Sequence, residues 1–244
     1  MIKELSPKYY IGTSGWHYDH WRVLYYPKVL DKSKWLQFYA QQFSTVELNN
    51  SFYHLPSEKS FMTWRESTPE NFVFAIKVGR FITHIKRLNN LGPAVENFLS
   101  RAYLLQDKLG PLLYQLPPNM KRNDEVLKTF LSSLPQKCQH VFEFRHESWL
   151  DDAVFHILQR YDIGLCIYDM PDFTYPLIAT SNFAYIRFHG RHSLYSSCYS
   201  DEELSQWAQK IMQLGKKVKV VYIYFNNDAG AFAVKNALTL TSYL

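Results

Sequence analysis

Val141-Phe142-Glu143-Phe144-Arg145-His146 is a short apolar run interrupted and then ended by charge. Side chains alternate across an extended strand, so Phe142 and Phe144 share one face while Glu143 and Arg145 share the other. A sheet closed into a barrel offers only an interior and a helix-covered outside. Two phenylalanines suit the helix-covered side, which turns Glu143 and Arg145 inward. A charge buried there without a partner is strongly destabilising, so the stretch predicts a paired, polar barrel interior.

Seven further short apolar runs recur, at residues 9–12, 45–48, 73–78, 112–116, 165–168, 184–188 and 218–225, and nearly every one stops at a charged or amide side chain. Helix-like stretches separate them. Asp31 or Ser33 is placed to cap a helix carrying Trp35, Phe38, Tyr39 and Phe43, and Ser57 precedes Phe61 and Trp64. Pro93 opens a helix with Val95, Phe98, Leu99, Ala102, Leu105 and Leu109, stopped by Gly110. Asn123 or Asp124 introduces Val126, Leu127, Phe130 and Leu131, and Asp151 introduces Val154, Ile157, Leu158 and Tyr161. Ser200 with Glu203 reads as a capping box before Leu204, Trp207, Ala208 and Ile211, and Gly215 closes that helix. The connection 170–182 holds Pro171 and Pro176 and no apolar stripe, which predicts a reduced or missing sixth helix. Alternating strand and helix predicts an α/β fold, a TIM-type β/α barrel of eight parallel strands. An open doubly wound sheet is the alternative, but no Gly-x-Gly-x-x-Gly or Walker-type loop follows any strand.

The chain has 244 residues, 47% apolar and 17% aromatic, enough for one barrel domain over residues 1–244. Cys138, Cys166 and Cys198 are odd in number and lack metal-like or redox-like spacing, which suits a reducing cytoplasm. Met1 to Tyr10 has no apolar core of signal-peptide length, and no run approaches the roughly 20 residues that span a bilayer. The expected location is cytoplasmic, with no membrane partner. A formal net charge of +5 tolerates a polyanionic partner without requiring one.

Parallel strands place their carboxyl ends on one side of the sheet, so the polar terminators gather there. Alternation groups Glu47 with Asn49, Arg187 with His189, and Tyr222 and Tyr224 with Asn226, while Lys77, Gln115 and Asp169 end their own runs. A buried network that only ties the barrel together is the bland alternative, but so many polar strand ends are a poor filling for a core. The group therefore predicts a binding site. Histidines 17, 54, 84, 146, 189 and 192 also follow strands, and a divalent metal held by Glu47, Glu143, Asp169, His189 and Asp228 is one reading of them. No local ligand spacing marks such a metal, and hydrogen-bonding histidines are the commoner case. Trp16, Trp21, Tyr53, Trp149, Tyr168 and Tyr195 offer rings for stacking, against the commoner fate of packing in the core.

The terminators fall inside longer words. These are Gly-Thr-Ser-Gly-Trp at 12–16, Glu-Leu-Asn-Asn-Ser-Phe-Tyr at 47–53, Leu-Pro-Ser-Glu-Lys at 55–59 and Ile-Thr-His at 82–84. Gln-Leu-Pro-Pro follows at 115–118, Phe-Glu-Phe-Arg-His-Glu-Ser-Trp at 142–149, Arg-Phe-His-Gly-Arg at 187–191 and Tyr-Phe-Asn-Asn-Asp at 224–228. In this order the chain resembles the YecE-like family, also called domain of unknown function 72, over essentially its whole length. The resemblance implies a β/α barrel with a pocket at the strand carboxyl ends. Its general architecture is similar to that of the barrel shared by endonuclease IV and xylose isomerase, which by analogy suggests phosphodiester or sugar chemistry. The full metal-binding histidine set of endonuclease IV is not evident at the strand ends here, so its zinc mechanism is not carried over.

Three functions fit these residues. In an enzyme acting on a phosphorylated or nucleic-acid-like substrate, Arg145, Arg187 and Lys77 would neutralise phosphate oxygens. Glu143 or Glu47 would then be the base and His189 the acid or phosphate donor. Asn49, Gln115, Asn226 and Asn227 would orient the substrate, with Trp16, Tyr53 and Asp169 as further contacts. A glycoside hydrolase would instead use Glu47 and Glu143 as its carboxylate pair, with tryptophans as sugar platforms. A non-catalytic module for phosphate or single-stranded nucleic acid would draw on a basic rim of Arg80, Lys86, Arg87 and Arg191.

Overall fold

Each apolar run becomes a strand: β1 (Lys8–Thr13), β2 (Thr45–Leu48), β3 (Val73–Lys77), β4 (Leu109–Gln115), β5 (His140–Glu143), β6 (Gly164–Asp169), β7 (Phe183–Phe188) and β8 (Val220–Phe225). The computed structural model describes residues 7–171, 173 and 175–244. Residues 1–6 of the amino-terminal stretch, and Asp172 and Thr174 of the prolyl connection, lie outside the described residues. All paired strands are parallel, in the order β1-β8-β7-β6-β5-β4-β3-β2, a nearly closed TIM-like barrel.

Helices α1 (Trp35–Tyr39), α2 (Glu58–Glu66), α3 (Gly92–Ala102), α4 (Asp124–Ser133), α5 (Asp152–Arg160), α6 (Asp201–Gly215) and α7 (Phe232–Thr241) lie between the strands and after the last. Their starts follow the capping signals. Asn123 accepts from Val126 N, Asp151 accepts from Ala153 N, and Ser200 and Glu203 form a full capping box. No helix occupies the connection from β6 to β7 among the described residues. Tyr175 instead packs on Tyr168 at 4.6 Å, and Thr180 Oγ1 donates to Ile163 O at 2.6 Å. One boundary differs from the sequence expectation, because Leu109 and Gly110 belong to β4 rather than to the end of α3. Gln106 adopts φ 51°, which breaks the helix, and Gly110 is needed where a Cβ would lie 2.5 Å from Val73 Cγ1.

The outward strand faces and the helices share one core, in which Phe142 stacks on Tyr114 at 5.0 Å and Phe144 on Trp149 at 4.8 Å. The barrel interior is a second cluster, built from Tyr10, Ala75, Leu113, Val141, Cys166, Phe183, Tyr185, Tyr222 and Tyr224. Tyrosine is an unusual filling because each hydroxyl needs a partner. Tyr222 Oη donates to Gln139 Oε1 at 2.9 Å, and Tyr224 Oη lies 2.7 Å from Thr45 Oγ1.

Strands β1 and β2 flank the seam where no backbone ladder joins neighbours. Side chains supply the missing connection. The Thr13 amide donates to Tyr39 Oη at 2.9 Å, and that hydroxyl donates to Thr45 O at 3.0 Å. The strands approach so closely that a Cβ on Gly12 would sit 2.3 Å from Thr45 O, a contact no side chain tolerates. Tyr39→Phe strands a buried amide and a buried carbonyl, each costing about 1–3 kcal/mol when unsatisfied. The variant should show a lower urea midpoint with an unchanged m-value, and an unchanged midpoint would remove the hydroxyl from any part in closing the barrel.

Candidate functional site

Arg187, the last residue but one of β7, is fully buried and lies on the interior strand face shared with Tyr185 and Phe183. Its Nη1 donates to Glu143 Oε2 at 2.6 Å and its Nη2 to Glu47 Oε1 at 2.8 Å. The guanidinium thus lies between two fully buried carboxylates on opposite parts of the barrel wall. Glu47 also accepts from Ser14 Oγ at 2.7 Å and from Tyr185 Oη at 2.6 Å. Glu143 accepts from Gln115 Nε2 at 2.8 Å, its register partner on β4, and from the Arg145 guanidinium. Arg145 in turn covers the Tyr168 ring at 4.5 Å, and its Nη2 donates to His189 Nε2 at 2.8 Å.

Charge states follow from these contacts. Burial alone would raise the Glu143 pKa, but Arg145 and Arg187 hold it well below the usual carboxylate range. Burial lowers the His189 pKa to about 4, with Arg187 adding to the shift against the pull of Glu143. His189 is therefore neutral at pH 7. Its Nδ1 lies 3.1 Å from Asn226 Nδ2, and since its Nε2 already accepts from Arg145, the Nδ1 proton pairs best with the amide oxygen of a rotated Asn226.

A cavity of about 310 Å³ at the strand carboxyl ends is lined by Tyr18, Asn49, Tyr53, Lys77, Gln115, Arg187, Tyr195, Asn226 and Asp228. Lys77, at the end of β3, is half-buried with Nζ 4.1 Å from the Phe52 ring centroid, and it has no hydrogen-bond or ion-pair partner among the described residues. Burial, reinforced by Arg187 and opposed by Glu143 and Glu47, brings its pKa down to about 8. Arg187 Nε and Asn49 Oδ1 are likewise buried without a protein partner. Asp228, the carboxylate in the lining, faces His20 Nε2 at 3.6 Å.

Of the residues expected at the site, Asn49, Tyr53, Lys77, Gln115, Arg187 and Asn226 line this cavity together. Glu47, Glu143, Arg145 and His189 form the network attached to Arg187. Three residues lie elsewhere. Trp16 is buried against Trp64 at 5.6 Å, within the aromatic packing that follows β1. Asp169 turns outward, accepting from Tyr199 Oη at 2.7 Å, because its neighbour Tyr168 takes the inward face. Asn227 is buried, donating to Ser197 O and Asn236 Oδ1 at 2.9 Å each. Among the described residues no group of three or more His, Cys, Asp or Glu is arranged to hold a metal ion. The cation between Glu47 and Glu143 is Arg187 itself. Sequence reading missed Ser14, Tyr185 and Tyr18. Tyr185 was within reach of it, since it lies two residues before Arg187 on the same strand face.

Two expectations follow from this electrostatic frame. Arg187→Met leaves two buried carboxylates facing each other, which should cost about 3–5 kcal/mol near neutral pH. With the arginine present, Glu143 contributes stability above its unfolded pKa and loses it as pH falls through the depressed folded value. Without it, shared repulsion raises a carboxyl pKa, so the variant should regain stability on acidification, and denaturant midpoints against pH would show whether the slope reverses. His189 is protonated in the unfolded chain below its ordinary 6.5 but in the folded chain only near pH 4. Unfolding free energy should thus fall between those values by up to about 1.4 kcal/mol per pH unit from this group, and His189→Gln should flatten that part of the profile.

A family model described as Protein of unknown function DUF72 matches residues 10–244. The UPF0759 protein YunF of Bacillus subtilis is 26% identical over 270 residues, covering 96% of this chain and 94% of its own. The UPF0759 protein YecE of Escherichia coli is 33% identical over 138 residues, 56% of this chain and 48% of YecE. Among solved structures, a DUF72 family protein from Thermotoga maritima superposes with a TM-score of 0.89 at 32% identity, covering 96% of this chain and 98% of that one. A DUF72 family protein from Enterococcus faecalis shares the fold at a TM-score of 0.82 and 21% identity. Matched from Tyr10 to the last residue, and built on the same barrel as its relative from Thermotoga maritima, the chain belongs to the DUF72 family.

Proposed function

We propose that the cavity at the strand carboxyl ends is an anion site that takes a small phosphorylated ligand. The observation that carries this is the state of Lys77. Of the three cations gathered here, Arg145 and Arg187 are committed to Glu143 and Glu47, while Lys77 faces the cavity with no partner among the described residues. Asp228 in the same lining faces His20, so Lys77 is the cation left for an anion to meet. The amides of Asn49, Gln115 and Asn226 would orient it, and about 310 Å³ suits a small molecule.

On this reading Glu47, Glu143 and His189 hold the two arginines in place and carry no proton in a reaction. A glycoside hydrolase reading draws less support, because its acid needs a raised pKa and Glu143 is held low. Arg187 also bridges both carboxylates, so neither is free to act alone.

Calorimetric titration with inorganic phosphate and with ribose 5-phosphate tests the proposal. Binding should weaken with added salt, and Lys77→Met should weaken it about tenfold to a hundredfold, the equivalent of one charge-assisted hydrogen bond. Absence of binding by the unaltered protein, or equal affinity in the Lys77→Met variant, would sink the assignment.

A further inference from the structure

We infer that Lys77 is a nucleophilic amine that condenses with the carbonyl carbon of a small anionic aldehyde or ketone, forming an imine in this cavity. The inference rests on the anion reading of the same pocket and names the class of ligand it serves.

Lys77 is a poor design for a purely electrostatic anchor. A side chain meant only to hold an anion gains from a carboxylate neighbour that keeps it charged and oriented, and from the planar fork that arginine provides. Lys77 has neither. Its ammonium end sits on the Phe52 ring, half-buried, beside the cation Arg187 in the same lining. Such surroundings disfavour a second positive charge and activate a lysine for attack on carbon. With its pKa brought down to about 8, roughly half of the side chain is free amine at pH 8, where an ordinary lysine is well under about 1% unprotonated. Arg187 Nε and Asn49 Oδ1, of two lining residues, are also buried without a partner among the described residues, a donor and an acceptor still unsatisfied beside the cavity.

The chemistry balances without any redox partner. The Nζ lone pair forms a bond to the carbonyl carbon while the carbonyl π pair moves to oxygen, which takes up a proton as nitrogen loses one. The resulting carbinolamine then breaks its carbon–oxygen bond. The oxygen leaves as water, and nitrogen gives up its remaining proton on forming the carbon–nitrogen double bond. Amine and carbonyl compound become imine and water, while the amides of Asn49, Gln115 and Asn226 in the lining orient the ligand's anionic group during the exchange.

Pyridoxal 5′-phosphate and glyoxylate are suitable probes, each pairing an aldehyde with an anionic group. The protein is incubated with limiting probe, reduced with borohydride and mapped by peptide mass spectrometry. Lys77 should be labelled at least about tenfold faster than the other lysines, as its larger free-amine fraction requires. Inorganic phosphate should protect it, and unfolding in urea should abolish the preference. Lys77→Arg removes the nucleophile, so it should lose the label. Labelling spread evenly over the lysines, or persisting unchanged in Lys77→Arg, would overturn the inference. Phosphate binding without trapping would reject the imine alone, whereas selective trapping with no protection by phosphate would uphold the imine and reject the anion reading.

Discussion

The buried guanidinium of Arg187 is the contact on which the centre of this barrel depends. Arginine suits the position because its planar fork donates to two carboxylates at once and its charge survives burial. Glu47 lies on β2 and Glu143 on β5, so the single side chain from β7 ties three strands that share no backbone ladder with one another. The pairing also fixes the charge states around it. Glu143 is held ionised, His189 is held neutral, and Lys77 is pressed towards its free amine. A cation placed to satisfy two acids therefore adds to what burial does to His189 and Lys77, groups it does not hydrogen-bond.

The network and the cavity occupy different levels of one structure. Below the mouth, polar side chains are saturated by one another, which gives rigidity. At the mouth, polar groups from several strand ends and loops remain available, which gives recognition. The two levels meet at Arg187, whose Nη atoms are engaged below and whose Nε has no partner among the described residues. Any ligand held here is placed against a frame whose rotamers are already fixed by ion pairs.

Much of this was legible in the sequence because strand alternation is a strict period. Phe-Glu-Phe-Arg sorted Glu143 inward and its phenylalanines outward, the same period grouped Glu47 with Asn49, Arg187 with His189 and Tyr224 with Asn226, and Lys77 and Gln115 were legible as the ends of their runs. The reading failed where a run end was taken as inward without the period. Asp169 closes β6, but alternation from the interior Cys166 gives Tyr168 the inward position and turns Asp169 to Tyr199. Trp16 and Asn227 lie in loops, where no period constrains direction and burial against neighbours decides it. Gly110 looked like a helix stop because glycine often ends helices, but here it relieves a close strand approach. Partnering was not legible at all. Which carboxylate takes which arginine, and which lysine is left over, depends on distances across the barrel that no local spacing encodes.

The seam between β1 and β2 carries a consequence for how this sequence can drift. Backbone ladders are indifferent to side-chain identity, since every residue except proline offers the same amide and carbonyl. Where closure runs through the Tyr39 hydroxyl, and through a Gly12 that leaves room for the Thr45 carbonyl, the continuity of the wall is written in particular residues. Seven junctions of the barrel are closed by backbone ladders, whereas the eighth is inherited letter by letter.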